Sequence, residues 1–68
     1  MITKEQIQAK RGDFEYLFKL QMSGKTNMMG AGQYLQMEQG LDKAEARETL
    51  MQWMQNYEVI AKELGVEV

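Results

Sequence analysis

The 68-residue chain contains no cysteine, no histidine and no proline. Loss of the first two excludes thiol nucleophiles, imidazole bases, Ser-His-Asp triads and metal sites built from nitrogen or sulfur. Most enzymes go with them, so the chain is expected not to be an enzyme and to hold no metal and no cofactor. Positive charge is also scarce: 8 Lys and Arg stand against 10 Asp and Glu, a net charge of −2. A nucleic-acid binder needs a basic stripe to neutralise phosphates, so DNA is not an expected partner. No apolar run approaches the roughly 18 residues that span a bilayer, and the opening MITKEQIQAKRGDF has no apolar signal core. The expected location is therefore the cytosol, away from membranes. Six Val and Ile against seven Met leave no strand pattern and point to an adaptable helical core. A chain this short buries only about 60% of its unfolded surface, and neither disulfide nor zinc can staple it. A partner chain is the staple that remains, so a homo-oligomer is expected.

What is present is helix. Ala, Leu, Met, Glu, Gln, Lys and Arg supply 42 of the 68 residues, all favourable in helices. The pattern predicts a single all-α domain over residues 1–68, a compact three-helix unit with helices at about 4–22, 27–39 and 43–64. Thr3 with Gln6 reads as a capping box ahead of Ile7, Phe14, Leu17 and Phe18 at helical spacing, and Gly24 as the left-handed stop. Gly12 marks a kink candidate in this first helix. Thr26 or Asn27 caps the second, which Gly40 ends. Its two early glycines, Gly30 and Gly32, hint at close approach by another backbone or a ligand. Asp42 and Glu45 form a second box, with Leu41 reaching Ala46, before a stripe through Leu50, Trp53, Met54, Tyr57, Ile60, Ala61 and Leu64 up to Gly65. The tail Val66-Glu67-Val68 is expected to fray.

Chemistry concentrates between the first two helices. Ser23, Gly24, Lys25, Thr26 and Asn27 gather two hydroxyls, an ammonium, an amide and a glycine at a helix start, where free N–H groups and the helix dipole favour an anion. A phosphate fits that chemistry, with Tyr34, Trp53 or Tyr57 to stack on a base. The segment is not a P-loop, because residue 19 is a helical lysine where that motif needs its first glycine. Plain helix capping accounts for every residue of the turn except Lys25. The stripe of helix three likewise accounts for Trp53 and Tyr57 as core, and Tyr16 falls one step off the main face of helix one, half exposed.

The sequence SGKTNM at residues 23–28, followed by Trp53, Asn56 and Tyr57, resembles a family of small phage-encoded proteins of unknown function in which an S-G-x-T-N-M turn joins the first two helices. The resemblance spans about residues 14–61, and the turn is its specific part. An aromatic commonly follows the turn's Met in that family, whereas here the residue is Met29. The resemblance implies a phage accessory protein in a bacterial host's cytoplasm, acting stoichiometrically in host takeover or counter-defence. It implies no established activity.

Two functions follow as expectations. One is capture of a phosphorylated small molecule, such as a nucleotide signal, at Ser23, Gly24, Lys25, Thr26, Asn27 and Tyr34. The other is a protein-interaction module that inhibits a host protein through Met28, Met29, Met37, Trp53 and Tyr57, since Met-rich faces adapt to partner helices. A helix-turn-helix reading through Ala31, Leu35, Gly40 and Leu41 is refused by charge, because Asp42, Glu45 and Glu48 would lead into the major groove. The same three carboxylates read as solvated residues favouring the helix dipole rather than as a metal set.

Overall fold

The computed structural model describes residues 2–24 and 30–66, and these form five helices: α1 (Lys4–Ala9), α2 (Arg11–Ser23), α3 (Ala31–Gln39), α4 (Lys43–Gln55) and α5 (Tyr57–Leu64). All regular structure among the described residues is helical. The Cα radius of gyration is 10.9 Å, matching the ~11 Å expected of a compact chain of this length.

Local chemistry starts and stops the helices where the sequence placed it. Thr3 Oγ1 accepts from Gln6 N–H at 3.2 Å, and Gln6 Oε1 accepts from Thr3 N–H at 2.9 Å, which is the reciprocal capping box. Asp42 Oδ1 accepts from Glu45 N–H at 2.8 Å. Gly24, Gly40 and Gly65 sit at φ +67°, +70° and +73° at the ends of α2, α3 and α5. At the last of these the chain closes a full Schellman turn, with Gly65 N–H bonded to Lys62 O and Val66 N–H to Ala61 O. Val66 is half-buried against the core. Of the tail expected to fray, Val66 is instead held back onto α5 by that turn, and Glu67 and Val68 lie outside the described residues.

Both long helices of the three-helix expectation are broken. The first bends at Lys10 (φ −111°, ψ 20°), two residues before Gly12. A Cβ on Gly12 would meet nothing within 4 Å, so the glycine is not the hinge. The bend keeps its flanking hydrogen bonds, from Lys10 N–H to Gln6 O and from Phe14 N–H to Lys10 O. At the bend, Lys10 Nζ crosses to α4 and donates to Gln52 Oε1 at 3.0 Å and Thr49 Oγ1 at 3.4 Å. The third predicted helix bends at Asn56 (φ −121°, ψ 29°), whose Nδ2 donates back to Gln52 O at 3.0 Å. The second helix is described from Ala31 onward, and its expected caps Thr26 and Asn27 lie outside the described residues. Gly32 has open space around it, so no neighbour approaches closely there.

The core draws on every helix: Ile7 from α1, Phe14, Leu17, Phe18 and Leu20 from α2, Ala31 and Leu35 from α3, Ala46 and Trp53 from α4, Ile60 and Ala61 from α5. At its centre Phe18, Trp53 and Tyr57 pack with ring centroids 5.0–5.2 Å apart in edge-on and tilted contacts. Trp53 is 1% exposed, and its indole N–H is buried without a hydrogen-bond partner. Met54, expected on the apolar stripe, is 51% exposed, since α4 turns Ala46, Thr49 and Trp53 inward instead. No helix among the described residues is long and apolar enough to cross a membrane.

Candidate functional site

Tyr16, Lys19, Leu20 and Ser23 follow one another along α2 at i, i+3, i+4 and i+7, so they share one face of the helix. Tyr34 and Glu38 stand one turn apart on α3. The two faces meet in a groove of about 310 Å³ lined by those six residues. Leu20 is the buried floor, and both tyrosines are half-buried and packed against the core. The volume lies at the lower end of the range that small-molecule clefts occupy, ~300–1,000 Å³.

The groove has a polar rim of mixed sign. Lys19 supplies an ammonium and Glu38 a carboxylate, and neither makes a hydrogen bond or ion pair with another described residue. Ser23 donates its hydroxyl to Leu20 O at 2.8 Å, which turns the oxygen toward the helix end. The Tyr16 hydroxyl is held above its ordinary pKa of 10.0, first by burial, then by the Glu38 carboxylate and by Tyr34. Glu38 therefore lies within electrostatic reach of Tyr16, across the groove. Tyr16 remains a protonated donor through the neutral range.

Of the residues expected to bind a ligand, Ser23 and Tyr34 line this groove, and Gly24 follows directly at its α2 end. Lys25, Thr26 and Asn27 lie outside the described residues, as do Met28 and Met29 of the expected partner face. Met37 is 80% exposed on α3 and Met22 66% exposed on α2. Trp53 is a correction: assigned to the partner face, it is core, because the edge-on contacts with Phe18 and Tyr57 enclose it. Tyr57 is half-buried in the same cluster, its hydroxyl donating to Gln21 Oε1 at 2.6 Å.

Three groove residues, Tyr16, Lys19 and Glu38, stood outside the expected set. Their signal was present as spacing, since 16, 19 and 23 share a face and 34 and 38 share another. What the spacing does not reveal is that these two faces oppose each other. A second, shallow depression of about 680 Å³ follows the outer face of α4 past Lys43, Arg47, Glu48 and Met51, and none of the expected site residues lines it. No protein-family model, no curated protein and no solved structure matches the chain.

Proposed function

We propose that the protein is a stoichiometric, non-catalytic binding module that captures a phosphorylated small molecule, such as a nucleotide signal, in the α2–α3 groove and the adjoining turn. The observation that carries this reading is the meeting of Ser23 and Tyr34, two residues of the expected ligand set, in one groove beside the ammonium of Lys19, which bonds to no other described residue. The ammonium of Lys19 suits an anion, and half-buried tyrosines suit a flat ring system. The resemblance of the SGKTNM segment to phage-encoded proteins supports reading this capture as part of host takeover or counter-defence inside a bacterium. Self-association belongs to the same proposal, because a chain of this size gains stability from a second copy.

The test is calorimetric titration of the purified protein with a panel of cyclic and linear nucleotides, alongside Lys25→Ala. Lys25 is the residue of the turn that capping does not require. The substitution is expected to abolish binding and leave the melting temperature unchanged. Unchanged binding with a lowered melting temperature would reduce the turn to a helix connection.

A second reading rests on a different observation, the exposure of Met22 and Met37. Flexible thioethers left in solvent suit a docking face for a host protein that the module inhibits. Polar replacement of Met28 and Met29 is expected to abolish capture of that partner, and retained capture would refute the reading.

A further inference from the structure

The groove has two chemically different ends. Ser23, the last residue of α2, lies at one end of the groove, and Tyr16, two turns earlier on the same helix, lies at the other, where Glu38 is within electrostatic reach of it. Tyr16 and Ser23 are seven residues apart on one helix, an axial separation of about 10 Å at ~1.5 Å per residue. That is the span of a mononucleotide from its phosphate to the pairing edge of its base. With phosphate held by the Lys19 ammonium toward the Ser23 end of the groove, the base lies over the tyrosines and its pairing edge meets Glu38.

We propose that Glu38 makes this groove selective for guanine nucleotides. An ionised carboxylate only accepts hydrogen bonds, and its two oxygens match two parallel donors. Guanine presents such a pair, N1–H and the 2-amino group, on one edge. Adenine presents an acceptor at N1 beside its 6-amino donor, so its ring nitrogen would face a carboxylate oxygen without a proton between them. Hypoxanthine keeps N1–H and lacks the 2-amino group. Glu38 makes no hydrogen bond to another described residue, so its carboxylate is not committed elsewhere. The tyrosines are indifferent to base identity, since every base has a face to stack. Selectivity therefore resides in the carboxylate.

This inference rests on the nucleotide-capture reading, and the experiment separates the two. The whole chain is titrated with GMP, IMP and AMP by NMR, and the titrations are repeated on Glu38→Gln and Lys19→Ala. GMP is expected to bind about tenfold tighter than AMP, the order that one charge-assisted hydrogen bond supplies, with IMP between them. The shifts should centre on Tyr16, Tyr34 and Glu38. Glutamine carries one acceptor and one donor, which pair as well with guanine's N1–H and O6 as with adenine's N1 and 6-amino group, so Glu38→Gln is expected to remove the preference for GMP while all three nucleotides still bind, a loss of selectivity that mere destabilisation would not give. Lys19→Ala is expected to weaken all three alike. Equal binding of GMP and AMP, unmoved by Glu38→Gln, would overturn guanine selectivity and leave phosphate capture standing. Failure of every nucleotide to bind the intact chain would overturn both.

Discussion

The molecule holds two groups of aromatic rings, and they differ in what surrounds them. Phe18, Trp53 and Tyr57 face one another at 5.0–5.2 Å, and the one hydroxyl among them is bonded to Gln21. Tyr16 and Tyr34 instead line an open groove of about 310 Å³ together with Lys19, Leu20, Ser23 and Glu38. Rings that meet rings close a core, whereas rings that meet short or charged side chains leave room for something else. Both groups arise from aromatics at helical spacing, so composition alone does not distinguish them. The distinction lies in which helix faces which.

The comparison is broken most severely at the closed cluster. Trp53→Ala removes the largest fully buried side chain, and large aromatic truncations cost about 3–5 kcal/mol. A 68-residue domain holds only ~3–10 kcal/mol in total, so the variant is expected to be largely unfolded by circular dichroism at room temperature. A folded variant with a melting temperature near the parent's would show that the cluster is not the core. At the open groove the effect should be smaller and of another kind. Tyr34→Leu preserves an apolar contact on Leu20's side of α3, and its stability loss in urea is expected to stay at about 1 kcal/mol or less, while nucleotide affinity falls by an order of magnitude. Equal losses of stability at both sites would erase the contrast.

The smallest effect is set by pH, at the start of the helix that carries Trp53. Asp42 is held below its ordinary value of 3.8, chiefly by the hydrogen bond from Glu45 N–H. A depressed carboxylate adds stability above its unfolded pKa and loses it as pH falls through the folded one. Glu45 is shifted upward, first by its side-chain hydrogen bond with Asp42 and then by that residue's charge, so its contribution has the opposite sign and offsets part of the effect. Asp42→Asn retains an N-cap side chain and removes the titration. Its melting temperature is expected to decline less than the parent's between neutral pH and the region below 3.8. Parallel declines would show that the cap does not titrate in the folded state.

Local signals carried most of the helix boundaries. Thr3, Asp42, Gly24, Gly40 and Gly65 act within four residues of chain, and each lies where its chemistry is needed. The bends at Lys10 and Asn56 were not legible because neither breaks the apolar period or gives up its flanking backbone hydrogen bonds. The side-chain partners of Lys10 at the bend, Thr49 and Gln52, are 39 and 42 residues away in sequence. The groove was half legible for the same reason. Ser23 and Tyr34 could be singled out by residue type, while Tyr16, Lys19 and Glu38 gain meaning only once α2 and α3 are set side by side. The exposure of Met54 follows from the inward face that α4 adopts, which a continuous stripe does not anticipate.

The chain's one tryptophan is also its largest fully buried side chain, touching two other rings and making no hydrogen bond through its indole nitrogen. Its intrinsic fluorescence is therefore a reporter installed at the centre of the core. Emission from an indole shielded from water lies to the blue and moves red when water reaches it, and Tyr57 at 5.0 Å is close enough to pass excitation energy to it. Unfolding should change both signals together. A ligand seated between Tyr16 and Tyr34 should alter tyrosine emission and leave the tryptophan band in place, so the protein carries two optical channels, one for its integrity and one for its occupancy.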